Sequence, residues 1–145
     1  MIDVKDLYKN FGTLEVLKGV TLNVAKGEIV SLMGPSGAGK TTLLQIIGTL
    51  QRADRGTISI DNADVTNLRG NALARFRNER LGFVFQFHQL LPEFSAVENI
   101  MMPALIAGKS FKTARSEAMQ LLDYLGLAER AEHRPDELSG GEKQR

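Results

Sequence analysis

The chain has no cysteine. A disulfide framework, a thiol nucleophile and a cysteine-based zinc site are therefore excluded. Its two histidines, His88 and His133, have no partners at metal-ligand spacing and read as structural or surface residues. Long apolar runs are missing as well. The stretch 100–107 is far short of the roughly 18 residues a membrane span needs, and it contains Pro103. Charge of one sign is also scarce. A formal net charge of +1 leaves no electrostatic footprint for nucleic acid or an acidic membrane. The opening residues, Met1-Ile2-Asp3-Val4-Lys5-Asp6, carry acids and lack the apolar core of a secretory signal. What remains is ordinary. With 145 residues, 43% of them hydrophobic and 24% charged, the expectation is a soluble, cytosolic globular domain with a real core.

What the chain does have is a concentrated glycine motif. Gly34-Pro35-Ser36-Gly37-Ala38-Gly39-Lys40-Thr41, followed by Thr42, fits G-x-x-x-x-G-K-[ST]. The apolar run 28–33 before it reads as a strand buried on both faces. Residues 41–50 after it, with Leu43, Leu44, Ile46 and Ile47, read as a helix. In that context the glycines let the backbone bend until several N–H groups converge, and the helix start adds partial positive charge. Lys40 then reaches terminal phosphates as a point charge, and the Thr41 hydroxyl is placed to ligate Mg²⁺.

Around this loop the pattern is mixed. Residues 2–24 hold two β-like pieces, 20–24 alternating strictly, and 25–28 turn into the loop strand. Phe11, beside Gly12, is either a hairpin aromatic or a ring for stacking on a nucleotide base. A short strand at 57–60 lies between turns at 53–56 and 61–64. Residues 71–78 look helical, with Leu73 and Phe76 inward and Arg75, Arg77 and Arg80 on a solvated face. Residues 81–85 read as another buried strand. Gln86 just past its end is either a bland strand terminus or a ligand group, since ligands of open α/β sheets gather there. Beyond residue 90 the chain turns helical. Residues 96–107 read as a helix interrupted near Pro103, Ser110 as an N-cap, and Ala114, Ala118, Leu121, Leu122 and Leu125 as one apolar face closed by Gly126.

Leu138-Ser139-Gly140-Gly141-Glu142-Lys143-Gln144-Arg145 follows. Ser139 and Glu142 stand in the relation of a capping box, so a helix begins there, and the two glycines leave its first amides uncovered. Alone, this is a flexible turn before a helix; paired with the upstream phosphate loop, it is a second phosphate site.

The order phosphate loop, Gln after a strand, helical segment and LSGGE resembles the ATP-binding subunits of ABC transporters along the whole chain. The resemblance implies an α/β fold: a P-loop NTPase core with an N-terminal antiparallel β region over residues 1–90, and a helical subdomain over 91–145. It implies ATP and Mg²⁺ as cofactors, with Phe11 stacking on adenine and residues 34–42 holding the phosphates. It makes Lys40 and Gln86 the catalytic candidates, places Gln86 with Thr41 near Mg²⁺, and makes Ser139, Gly140 and Gly141 the turn that meets the γ-phosphate held by the other subunit of a homodimer. Integral membrane subunits are the implied partners, and the cytoplasmic face of the bacterial inner membrane the implied location. Residues 77–99 and 132–135 resemble the branch of macrolide-efflux and lipoprotein-releasing ATPases, most closely the latter. The rival readings are a macrolide-type or other exporter, a soluble ABC ATPase of repair or translation, and a nucleotide-sensing module.

In the family an apolar strand ending in Asp-Glu and a switch His follow the signature, whereas this sequence stops at Arg145. The expectation is a C-terminally incomplete core that does not hydrolyse ATP alone and exposes the apolar side chains of 29–33 and 83–85.

Overall fold

The computed structural model describes residues 1–86 and 89–145; Phe87 and His88 lie outside the described residues. The chain forms two units, Met1–Arg77 and Asn78–Arg145, divided upstream of the 90/91 boundary read from the sequence.

In the first unit β1 (Ile2–Phe11) pairs with β2 (Leu14–Val24) on one side and β3 (Arg55–Ile60) on the other, and β4 (Ala63–Asp64) extends β3. All pairings are antiparallel, in the order β2-β1-β3-β4. The buried positions of β1 are Val4 and Leu7, three residues apart instead of two. A bulge explains the break in period. Val4 and Leu7 face Leu22 and Val20, and Lys5 and Tyr8 face Thr57 and Arg55, so β1 carries an extra residue against both neighbours. That residue is Asp6, at φ 47°, and its N–H donates to Thr21 Oγ1 at 3.1 Å. The bulge returns Leu7 to the face that Val4 occupies. Leu17, Ile58 and Ile60 from the sheet, Leu43 and Ile46 from α1 (Lys40–Ile47), and Val65 complete this unit's buried apolar set. Between β3 and β4, Asp61 and Asn62 both have positive φ (48° and 64°), the requirement of a two-residue hairpin turn that follows strand twist.

Helix α2 (Gly70–Arg80) runs through the division and buries none of its residues; Leu73 and Phe76 are only half-buried. The second unit is built on α3 (Ala96–Ile106) and α4 (Phe111–Tyr124). Val97, Met101, Ala114, Ala118 and Leu122 form its centre, closed by Leu127, Ala131 and Leu138. Both helices start on serine caps: Ser95 in a reciprocal box with Glu98, and Ser110 accepting from the Thr113 N–H. Ala96 and Val97, at the open start of α3, donate their N–H groups to the carbonyls of His133 and Ala131 at 2.8 and 2.9 Å. Short 3₁₀ turns, Ala128–Arg130 and Pro135–Glu137, lead to α5 (Gly140–Gln144).

Four expectations need correction. Residues 28–33 and 81–85 form no strand among the described residues, and they are not buried: Ile29 is 98%, Met33 90% and Val84 89% exposed. An apolar run becomes a central strand only if neighbouring strands pair with it, and no described residue does so; the exposure itself is what the incomplete core led one to expect. Pro103 does not interrupt α3, which runs through it. The carbonyl of Pro103 accepts both the Ala107 N–H (3.0 Å) and Asn78 Nδ2 (2.9 Å), which anchors the helix just beyond the missing donor. Leu121 does not join the buried face of α4 and is half exposed, since the buried stripe runs Ala114, Ala118, Leu122 at intervals of four.

Candidate functional site

The phosphate loop lies in the first unit and is shaped by two left-handed glycines, Gly37 at φ 79° and Gly39 at φ 81°. Gly39 does more than turn the chain. A Cβ there would come within 3.0 Å of Leu17 Cδ2 and of Val16 Cγ1, and 3.1 Å of the Val16 carbonyl, so the loop's last residue lies directly on β2. Gly39 is also the N-cap of α1, and no side chain caps that helix or puts an acid in its first turn. Its leading amides are therefore left to whatever enters the loop. Lys40 folds back over the bend, its Nζ donating to the carbonyls of Gly34 and Pro35 at 2.7 Å each. An ammonium has three donors, so these bonds fix the charge at the loop and leave one donor for a ligand. Pro35, Ser36, Ala38 and Thr41 are exposed and Thr42 is half-buried. Uncapped amides, a fixed cation and a hydroxyl at the second helical position suit an oxyanion such as a polyphosphate, with Thr41 placed for an accompanying divalent ion.

Phe11, in the same unit, ends β1 opposite Leu14. Its ring is 45% exposed, and Lys9 Nζ stands 5.5 Å from the centroid, held by Asp54 at 2.8 Å.

Gln86 and the Ser-Gly-Gly turn belong to the second unit. Gln86 is exposed in a bend, and the carbonyl of the preceding Phe85 accepts a 3.4 Å bond from Gln144 Nε2 of α5. Two segments 59 residues apart in sequence are thus tied together. At the start of α5 the capping box forms as the spacing predicts: Ser139 N–H donates to Glu142 Oε2 (2.7 Å) and Glu142 N–H donates to Ser139 Oγ (3.3 Å). Gly140 and Gly141 are exposed at ordinary φ, and a Cβ at either would meet nothing within 4 Å. Neither backbone conformation nor packing among the described residues demands glycine at these two positions.

Sequence reasoning passes over Arg130. Its Nε donates to Glu142 Oε1 at 3.1 Å across a separation of 12 residues, a pairing made by the turn at Ala128–Arg130 and marked by no periodic signal. The Ser139 hydroxyl and N–H, and then the Arg130 guanidinium, hold the Glu142 carboxyl down to about 2 from the ordinary 4.5.

Residues 17–145 match the family model described as ABC transporter. Among curated proteins, the lipoprotein-releasing system ATP-binding protein LolD of Porphyromonas gingivalis is 61% identical over 145 residues, covering all of this chain and 66% of that protein. The protein of the same name from Bacteroides thetaiotaomicron is 59% identical with the same coverage. Among solved structures, the dimeric post-hydrolysis state of the ATP-binding cassette MJ0796 bound to ADP and Pi superimposes with a TM-score of 0.86 at 37% identity, over 99% of this chain and 65% of that one. The chain thus spans about two thirds of the length of the relatives it matches. With the family model covering all but its first strand and part of its second, the chain belongs to the ABC transporter family.

Proposed function

We propose that the protein is the ATP-binding and ATP-hydrolysing subunit of an ABC transporter that releases lipoproteins from the bacterial inner membrane. One observation carries the nucleotide reading: Lys40 is pinned by the carbonyls of Gly34 and Pro35 at the foot of a helix whose start has no side-chain cap. The cargo reading rests on the LolD proteins at about 60% identity. In this reading residues 1–90 act as the nucleotide-binding core and 91–145 as the helical subdomain.

The phosphates of ATP lie in the loop of residues 34–42, oriented by the amides of Gly37, Gly39 and Lys40, with Pro35, Ser36, Ala38 and Thr42 completing the rim. Phe11 stacks on the base. Lys40 neutralises charge as the terminal phosphate leaves, and its pre-existing bonds mean that no reorganisation is needed at that moment. Mg²⁺, when bound, would supply Lewis-acid stabilisation of the charge on the phosphates. Thr41 would be its hydroxyl ligand, and Gln86 is the candidate for orienting the attacking water. Ser139, Gly140 and Gly141 meet the γ-phosphate of a nucleotide held by a second copy, so that ATP closes a homodimer. Membrane subunits seated on this dimer would place it at the cytoplasmic face of the inner membrane; no helix among the described residues is itself long and apolar enough to cross one.

The test uses the complete gene product with its membrane partners. Lys40→Ala removes a charged hydrogen bond worth about 1.5–3 kcal/mol, and should weaken nucleotide binding roughly 10- to 100-fold while abolishing turnover and lipoprotein release. Ser139→Arg should spare nucleotide binding by the monomer and block nucleotide-driven dimerisation. Normal turnover in the Lys40→Ala protein would overturn the phosphate-loop assignment, and loss of monomer binding with normal dimerisation in Ser139→Arg would overturn the in-trans one.

A further inference from the structure

Helix α5 starts at Gly140, directly behind the Ser139–Glu142 capping box. Its first two residues have no side chains to pack. Ser139 is oriented by that box and by the ties of this turn to the rest of the unit. Buried Leu138 fixes the point of entry. The bonds from Gln144 Nε2 to the Phe85 carbonyl (3.4 Å) and from Arg145 Nη1 to the Leu125 carbonyl (3.2 Å) are long and lie at the far end. Among the described residues, the charged tie at the near end is Arg130 to Glu142.

This tie is rigid on both sides. Arg130 N–H donates to the Leu127 carbonyl at 2.9 Å, and its neighbours Leu127 and Ala131 are buried. The carbonyl of Ala131 in turn accepts from Val97 at the start of α3. On the other side, Glu142 spends one oxygen on Arg130 and the other on the Ser139 N–H, which fixes the carboxylate plane. Rotation of Glu142 about either bond would break the capping box. We propose that Arg130 is a positioning residue, acting through Glu142 to hold the Ser139-Gly140-Gly141 turn in the orientation that receives the γ-phosphate from a second subunit. This rests on the in-trans reading of Ser139 given above.

Its contribution to stability is small, because Arg130 is 47% exposed and surface ion pairs are weak. Geometry is what it controls, and that separates the proposal from a merely structural role. The complete gene product is titrated with a non-hydrolysable ATP analogue, and three quantities are read: nucleotide affinity of the monomer, the dimer dissociation constant and the thermal midpoint. Arg130→Ala should weaken dimerisation roughly 10-fold, the scale of one charge-assisted hydrogen bond, with monomer affinity and midpoint unchanged. Arg130→Lys, which keeps a donor and a charge, should recover most of the loss. In a Glu142→Gln background the same Arg130→Ala change should add less than about two-fold, since coupled residues are non-additive. Wild-type dimerisation in Arg130→Ala, an equal loss in both backgrounds, or a loss that follows a fallen midpoint would each overturn the proposal. If Ser139→Arg dimerises normally, the in-trans reading falls and Arg130 with it; if Ser139→Arg blocks and Arg130→Ala does not, Arg130 alone is excluded.

Discussion

Two carbonyls of β1 leave no room for a side chain at Gly56. A Cβ there would stand 2.5 Å from the Asp6 carbonyl oxygen and 2.6 Å from that of Lys5, and the residue sits at φ 99°. The Asp6 bulge and Gly56 are two halves of one device: the extra residue pushes its backbone towards β3, and β3 answers with a residue that has no Cβ. Gly56→Ala should lower unfolding stability by roughly 2–4 kcal/mol in denaturant titration, because both backbone strain and a clash with unyielding atoms are added. Gly140→Ala, with ordinary φ and open space, should leave stability nearly unchanged. At this scale the sequence is unevenly legible. The loop glycines can be read because left-handed backbone writes itself as glycine at fixed spacing before Lys40. Gly56 reads only as a turn residue and Asp6 gives no sign of a bulge, since each is explained by the other's position in the sheet. Arg130 is illegible for the same reason.

Helix starts carry their own chemistry. Ser95 with Glu98 and Ser139 with Glu142 each close a reciprocal box, and in both the serine's hydrogen bonds hold the glutamate below its ordinary pKa. A depressed carboxyl contributes stability that is fully present above its unfolded value. That contribution is lost as pH falls from about 4.5 towards the folded value, which for Glu142 is about 2. Far-UV circular dichroism over that window should show the second unit losing helix, and Ser95→Ala should be destabilised by about 1 kcal/mol at neutral pH, with the difference from the parent shrinking as pH falls. A difference that grows in acid would contradict the assignment. The Ser139 cap is legible because serine and glutamate three apart are a local signal, and sequence reasoning passes over the same signal at Ser95 and Glu98. The runs 28–33 and 81–85 misled because apolar composition states what a segment needs, and not whether a partner is present to supply it.

Taken whole, the molecule shows water an unusual amount of strand-like apolar chain. Ile29, Val30, Met33, Phe83, Val84 and Phe85 are all at least 40% exposed, and the rings of Phe83 and Phe85 stack on each other at 5.5 Å. Extended apolar backbone without a ladder partner is a template for association. Sedimentation of the 145-residue chain should therefore show concentration-dependent self-association, and the Ile29→Asn, Met33→Asn pair should reduce it without changing the unfolding of the β1–β3 sheet. A monomer at all concentrations would show these runs to be harmless. The same exposure sets a clock on the ribosome. Residues 28–33 leave the tunnel early, and the described residues up to Arg145 still leave Ile29 98% and Met33 90% exposed. At about 5–20 residues per second of elongation, the nascent chain carries this uncovered segment for on the order of ten seconds. That interval is long against collapse and helix formation, so the segment's fate during synthesis falls to chaperones and to the spacing of ribosomes along the message.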